Sequence, residues 1–357
     1  MISKYIIMKW RIIPYFLLLP LSVQGQIKKD TVIFRVMSYN VENLFDCQHD
    51  TLKNDYEFLP NSLRHWNYTK YKKKLDNIAR VITAVGGWNP PALVALCEVE
   101  NDSVLRDLTR YSILREAGYR YVMTQSPDLR GIDVALLYQR GLFKLLLHQS
   151  IPVTLGNHFK KYRPTRDILH VEGLLLNQDT LDVFIAHLPS RSGGAKESEP
   201  YRLLAAKRLK SAVDSVYATR LHPQILIMGD FNDYPQNKSI CQILQATAPP
   251  SDSSKTEPNK LYHLLARKAA TQHKFGSYKF HGEWGLLDHL IVSGTLLHFT
   301  SSFYTNENKA NVFRAPFLLV EDHKYGGVEP LRTYLGPRYQ GGYSDHLPVY
   351  ADFILIY

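Results

Sequence analysis

The residues of this sequence best suited to chemistry stand where runs of apolar residues stop. In Ile225-Leu-Ile-Met-Gly-Asp-Phe-Asn232 an apolar run leads through Gly229 to Asp230 and Asn232. Residues two apart on an extended chain point the same way. A carboxylate and an amide are therefore presented side by side at the carboxyl end of a buried strand, where open α/β sheets place their ligands. The same apolar-to-polar switch recurs at Asn40, Glu98, His187 and Asp288, and the pair Asp345-His346 stands where the last apolar run begins. Singly, each is an ordinary turn; together they suggest convergence on one mouth. Carboxylates (Glu98, Asp230, Asp288, Asp345), amides (Asn40, Asn232) and histidines (His187, His346), with no thiolate among them, suit Mg²⁺, Mn²⁺ or Ca²⁺ rather than zinc. A hard divalent ion with two histidines can stabilise a pentacovalent phosphorus, activate water and support a leaving oxygen. Asp–His pairing would orient each imidazole and stabilise its cation. The reaction class reached in this way is metal-assisted hydrolysis of a phosphate ester. The sequence holds no Gly-rich nucleotide loop, no Cys/His zinc spacing and no Gly-x-Ser-x-Gly elbow.

The elements that must position these residues alternate between strand and helix. Strands are read at 32–39, 92–97, 119–124, 131–138 and 143–153, and a hairpin at 168–176 and 181–187 turns around 177–180. Leu75, Ile78, Ala79, Ile82 and Val85 recur at helical spacing opposite Lys72, Lys73 and Lys74, and Gly86-Gly87 stops that helix. Further helices are expected at 102–116 and at 200–221, the latter after a Gly/Ser-rich loop at 189–195. Residues 236–247 and 258–268 also look helical. The last third reads as strands at 276–281, 286–293, 297–304 and 346–356, with a long irregular section over 306–342.

With 357 residues, 45% of them hydrophobic and 21% charged, the chain has ordinary globular composition and is long enough for a large α/β fold. Residues 1–25 differ: Lys4, Lys9 and Arg11 precede an apolar run from Ile12 to Val23, and small residues follow before Gln26. This reads as a secretory signal peptide, too short to anchor in a bilayer and interrupted by Pro14 and Pro20. The expectation is a periplasmic or secreted protein whose mature domain spans 26–357, with no stable membrane anchor and acting as a monomer. Removal of the signal takes three basic residues and no acid, so the formal net charge falls from +10 to +7, and a basic exported protein suits a polyanionic substrate such as nucleic acid or an anionic lipid surface. Three cysteines, Cys47, Cys97 and Cys241, form no framework and allow at most one disulfide; Cys97 sits inside an apolar strand as a core residue, and a Cys47–Cys241 pair is possible without a sequence feature that supports it.

The motifs Ser38-Tyr-Asn-Val-Glu-Asn43, Leu96-Cys-Glu98, His187, Gly229-Asp-Phe-Asn232, Leu287-Asp-His289 and Ser344-Asp-His-Leu-Pro348 occur in the order of the endonuclease/exonuclease/phosphatase superfamily. Over about residues 32–356 the chain resembles that superfamily, which includes deoxyribonuclease I, repair exonucleases, bacterial sphingomyelinases and inositol polyphosphate phosphatases. The resemblance implies a four-layer α/β sandwich, two facing mixed β-sheets flanked by helices. It implies that Asn40, Glu98 and Asp345 surround the principal metal. Asp230 would handle the attacking water, with Asn232 beside it; His346, paired with Asp288, would contact the scissile phosphate, and His187 would be the second histidine. Asp133 matches the acid that pairs with this histidine in the deoxyribonuclease I branch, or else caps the turn after Gly131. Arg166 matches a phosphate-contacting position, or else is an exposed strand residue. Arg191, in the Gly-rich loop, is a phosphate-binding candidate or a solvated loop residue. Two departures stand out. Cys97 replaces the glutamine usual before the metal glutamate, which implies a lost supporting hydrogen bond. Leu286-Leu-Asp-His289 replaces the Trp-Cys-Asp-Arg of the inositol phosphatases, which counts against an inositol phosphate. The function implied is an Mg²⁺-dependent, exported nuclease acting on DNA. The alternatives are a phosphodiesterase or phosphatase on lipid or sugar phosphates, and a binding module without turnover.

Overall fold

The computed structural model describes residues 29–154 and 164–357; the expected signal peptide at 1–25 lies outside them. Two β-sheets stack face to face. The first contains β1 (Thr31–Leu44), β2 (Leu93–Val99), β3 (Arg120–Met123), β4 (Asp133–Tyr138), β13 (Phe303–Tyr304), β14 (Ala310–Val312) and β19 (Val349–Ile356). Its order is β13-β19-β1-β2-β4-β3, with β14 also on β19. The second contains β5 (Phe143–Ile151), β6 (Ile168–Leu175), β7 (Thr180–His187), β8 (Gln224–Asp230), β9 (Leu261–His263) and β12 (Asp288–Ser293), in the order β5-β6-β7-β8-β12-β9. Apolar side chains from the facing sides, among them Phe34, Val36, Cys97, Ile185 and Met228, form the central core. Helices α1 (Tyr68–Gly86) and α2 (Asp102–Arg110) cover the outside of the first sheet, and α3 (Ala195–Thr219) covers the second. The four-layer sandwich implied by the resemblance is the fold observed.

Each sheet is mostly antiparallel but carries one parallel pair at its centre, β1 with β2 and β7 with β8. A parallel pair needs a crossover, and α1 and α3 are those crossovers. The sequence prepares both. Asn67 caps α1 by accepting from Lys70 N at 3.1 Å, and the apolar stripe of α1 turns inward. Lys74 does not lie on a solvated face as its neighbours suggested. It is buried, and its ammonium donates to Thr333 Oγ1 at 2.5 Å and to the Tyr343 carbonyl at 2.6 Å; burial lowers its pKa to about 8.

Several local expectations are corrected. Residues 236–247 form only a single wide turn at Ser239–Leu244, and 258–268 splits into strand β9 and the short α4 (Ala266–Thr271). Leu261–His263 pairs with β12, whose buried strand edge needs partners for its backbone groups. Helix α3 starts at Ala195 rather than at Pro200, inside the expected Gly/Ser loop. The 297–304 strand is mostly turn and bend after a helical turn at Gly294–Leu297, with β13 at its end. The 306–342 section is less irregular than expected. It contains β14 and two small hairpins, β15 (Leu319–Glu321) with β16 (Val328–Pro330) and β17 (Tyr334–Leu335) with β18 (Arg338–Tyr339). All three cysteines are free, so Cys47 and Cys241 are not paired. Among the described residues, no helix is long and apolar enough to cross a membrane.

Candidate active site

The carboxyl ends of the two parallel pairs open into one cleft of about 580 Å³. On the second sheet, strand register puts three predicted residues on one level. His187 is opposite Asp230 across the parallel pair, and Asp230 is opposite Asp288 across the antiparallel one. On the first sheet, Asn40 is level with Cys97, the residue before Glu98. Backbone conformation then aims the side chains. Gly229 has φ +137°, and a Cβ there would fall 1.9 Å from the Ala186 carbonyl oxygen, so only glycine fits beside β7. Glu42, Asn43, Glu98 and Asn232 have φ of +51°, +57°, +67° and +51°. Such conformations are uncommon for residues other than glycine and collect at functional sites.

Asp230 is the centre of the cleft. Its Oδ2 accepts from Asn40 Nδ2 at 2.9 Å, and its Oδ1 from the Asn232 backbone N–H at 2.8 Å. His187 Nε2 stands 3.5 Å from Oδ2 on one side and His346 Nε2 3.8 Å on the other. His346 Nδ1 donates to Asp288 Oδ2 at 2.7 Å, and Asp288 is fully buried behind it. Burial pushes the Asp230 carboxyl up to about 7, with Asp288 adding to the shift and His346 opposing it. The two histidines are driven apart. Burial acts to lower His346, but Asp288, Asp230 and Asp345 outweigh it and hold the ring well above the ordinary histidine range. Burial, with Arg166, Arg130 and His346 nearby, holds His187 well below that range.

Glu98 and Asp345 both line the cleft. Glu98 Oε2 accepts from Asn43 N at 3.0 Å, and Oε1 lies 3.9 Å from both Arg130 and His187. Asp345 Oδ2 accepts from Arg332 Nη2 at 2.6 Å. Among the described residues, no three His, Cys, Asp or Glu groups close on one point. Even so, two carboxylates and the Asn40 amide oxygen, with no sulfur, fit a hard divalent ion that keeps several waters.

Eight of the sequence-predicted residues (Asn40, Glu98, His187, Arg191, Asp230, Asn232, Asp345 and His346) line this cleft, and Asp288 stands directly behind. Two are placed elsewhere. Asp133 does not reach His187. Its Oδ1 accepts from Thr124 Oγ1 at 2.6 Å, from Ser126 N at 2.9 Å and from Ser126 Oγ, so it caps a turn. His187 Nδ1 is buried without a hydrogen-bond partner. Arg166 is neither an exposed strand residue nor in the cleft. It is buried, pairs with Asp128 at 3.1 Å and donates to the Leu188 carbonyl at 2.7 Å. That carbonyl also accepts from Asn232 Nδ2 at 3.1 Å, so Arg166 supports the site from behind. Arg191 lines the cleft, but its guanidinium holds the 232–237 turn through the Asn232 carbonyl at 2.7 Å and Asn237 Oδ1 at 2.9 Å. Cys97 Sγ is 4.0 Å from the Ala186 carbonyl, a weak substitute for the hydrogen bond expected of a glutamine. Sequence reasoning missed Arg130, Tyr234, Tyr278 and Phe280 as lining residues. The alternation of Tyr278 and Phe280 was the available signal for the last two.

A cleft fed by the carboxyl ends of two βαβ units, one from each of two facing sheets, is the architecture of the deoxyribonuclease I-like fold. The chain belongs to the endonuclease/exonuclease/phosphatase family, whose sequence model matches residues 35–354. Members of that family are hydrolases acting on phosphoester bonds and generally depend on a divalent metal. Among solved structures the chain is similar to a Bacteroides thetaiotaomicron mannosyl-6-phosphatase, at 14% identity over 91% of this chain and 99% of that one, with a TM-score of 0.54. It is similar also to the human Nocturnin catalytic domain with bound sulfate, at 17% identity over 91% and 97%, with a TM-score of 0.51. D. rerio TDP2 in complex with a single-strand DNA product matches at 13% identity over 90% and 98%, with a TM-score of 0.52. At these identities the likeness is one of fold. No curated protein matches the sequence.

Proposed function

We propose that this chain is an exported, metal-dependent phosphodiesterase that cuts nucleic acid, with DNA as its first substrate. The observation that carries the reading is a carboxylate, Asp230, set between two histidines in unlike surroundings: His346 is backed by the Asp288 carboxylate, and His187 Nδ1 is buried without a partner. Asp288 keeps His346 cationic, so a phosphate seated against its Nε2 has its negative oxygens met by a fixed positive charge. Asp230, aimed by Asn40 and Asn232, takes the proton of the attacking water. His187, neutral, is placed to hydrogen-bond a phosphate oxygen through Nε2. Asn40, Glu98 and Asp345 would hold Mg²⁺, with Mn²⁺ or Ca²⁺ as substitutes; when bound, the ion supplies positive charge for the attacked phosphate and its leaving oxygen. The formal net charge, +10 for the whole chain and +7 once Lys4, Lys9 and Arg11 are removed with residues 1–25, and half-exposed Arg130 on the rim support a polyanionic substrate. The basic and then apolar composition of residues 1–25 supports export to the periplasm or medium.

A second reading, hydrolysis of a lipid or sugar phosphate, draws on the cleft volume of about 580 Å³, which is the size of a small-molecule site. One set of assays separates the two. Purified mature protein is given plasmid, linear duplex and single-stranded DNA, bis(p-nitrophenyl) phosphate, sphingomyelin and a hexose 6-phosphate, with Mg²⁺ and with chelator. DNA is expected to be cut, and chelator to stop it. The variants Asp230→Asn and His187→Ala should lower kcat by about 10²- to 10⁴-fold, the range for losing general acid–base help. Intact DNA beside a cleaved lipid or sugar phosphate would overturn the nuclease reading; variants as fast as the parent would overturn the site.

A further inference from the structure

A row of rings leads out of the cleft from His346. Tyr278 lies 4.9 Å from the His346 ring, and Phe280 lies 6.5 Å from Tyr278 with their planes 17° apart. His281 stacks on Phe280 at 4.0 Å and 14°, and Tyr325 stands 5.8 Å beyond His281. The row is built into the backbone. Strands β10 (Tyr278–Phe280) and β11 (Glu283–Gly285) pair antiparallel with Phe280 opposite Glu283, which leaves His281-Gly282 as a two-residue turn. Their φ values of +50° and +88° are those of a type I′ hairpin turn. Tyr278 and Phe280, two apart, share a face. Lys279 points the other way and fixes the hairpin to the 322–327 turn, donating to Asp322 Oδ2 at 2.5 Å and to the Gly326 carbonyl at 2.8 Å. Asp322 Oδ1 in turn accepts from the backbone N–H of Lys324 and of Tyr325. Tyr325 lies over Gly282, where a Cβ would come within 3.0 Å of it.

These rings are held in place yet are not core. Phe280 is 56% exposed and Tyr325 45%, and both rings reach solvent beside the cleft. Exposed Lys324 sets its ammonium 4.9 Å from the centre of the Tyr325 ring. Flat faces in series, beginning at the histidine that meets the phosphate and ending at a cation, match a chain of flat bases joined by phosphates. In a duplex those base faces already cover one another; in a single strand they are free.

We infer that Tyr278, Phe280, His281 and Tyr325 form a stacking platform for the bases of a single-stranded nucleic acid whose scissile phosphate sits at His346 and Asp230. This rests on the reading of the cleft as a nuclease site and narrows its substrate to unpaired strands. The test uses the whole mature protein, a fluorescein-labelled single-stranded DNA, the matching blunt duplex and bis(p-nitrophenyl) phosphate. The Phe280→Ala variant and the double variant His281→Ala/Tyr325→Ala should each lower kcat/KM for the strand, relative to kcat/KM for the small diester, by about tenfold, within the range for one lost base–aromatic stack. Anisotropy with the labelled strand in chelator should show Kd rising by a similar factor, and Phe280→Trp should restore it. The parent should bind the duplex more weakly than the strand. An unmoved ratio with an unmoved Kd overturns the platform while leaving the hydrolytic site standing. Equal binding of duplex and strand also overturns it, as does loss of binding to phosphatidylcholine vesicles or to a glycan in place of loss to the strand. A parent that cleaves neither DNA nor the diester refutes the nuclease reading itself, and the Kd comparison still judges the platform.

Discussion

The residue after Asp288 faces away from the cleft, and its burial gives a stability dependence that can be calculated. His289 sits on β12 next to β9, and its Nδ1 meets His263 Nε2 at 2.5 Å. His263 Nδ1 accepts the Leu265 backbone N–H at 3.1 Å, so the His263 proton is on Nε2 and is donated to His289. His289 then carries its own proton on Nε2 and donates it to the Asp233 carbonyl at 2.9 Å. Every nitrogen of the chain is matched only while both fully buried rings are neutral. Burial lowers the pKa of His289 to about 4 and that of His263 well below its usual value. An unfolded chain protonates His289 near 6.5. Between pH 6.5 and 4 the unfolded state therefore holds a proton that the folded state refuses, and stability falls as pH is lowered through that window. The full loss from His289 is about 3 kcal/mol, and about 2 kcal/mol of it is felt between pH 7 and pH 5. His289→Gln keeps a neutral donor but cannot titrate. Urea unfolding of parent and variant at both pH values isolates the effect, because any constant destabilisation by the substitution cancels in the difference. The parent should lose about 2 kcal/mol more than the variant on going from pH 7 to pH 5. Equal losses would refute the assignment of a neutral, buried His263–His289 chain.

The roles of Asp288 and Arg166 give two sharper contrasts. Asp288→Asn leaves His346 its hydrogen-bond acceptor but removes the charge that holds the imidazolium, so kcat on bis(p-nitrophenyl) phosphate should fall by about 10²-fold or more; an unchanged kcat would remove His346 from the chemistry. Arg166→Met leaves the Asp128 carboxylate buried and unpaired, and should cost about 3–5 kcal/mol in urea unfolding while leaving KM for the diester largely unchanged. A raised KM at parental stability would instead return Arg166 to the phosphate.

Most of the site was legible because its residues are fixed by strand register. An apolar run buried on both faces has to be a central strand, and the polar residue ending it has to emerge at a sheet end. His187, Asp230 and Asp288 then share one level as soon as β7, β8 and β12 are neighbours. Gly229 is required for the same reason, since the strand pair leaves no room for a side chain at the Ala186 carbonyl. Asp133 and Arg166 were misplaced because loops decide their partners. The hydroxyls at Thr124 and Ser126 reach Asp133 before His187 can, and Asp128 reaches Arg166 before any phosphate. Spacing in the sequence records neither path. The helix expected at 258–268 failed for a related cause: a three-residue stretch can serve a helix or an edge strand equally, and unpaired backbone groups on β12 settle it for Leu261–His263. Arg332 shows the same divide from the other side. It stands far from Glu42 in sequence and in a section without periodicity, yet its guanidinium holds Asp345 at 2.6 Å and approaches Glu42 Oε1 at 3.4 Å. A carboxylate at a strand end can be found from the sequence, but the cation that aims it arrives on a loop. In this chain the positions that would do chemistry were therefore easier to read than the groups that tune them.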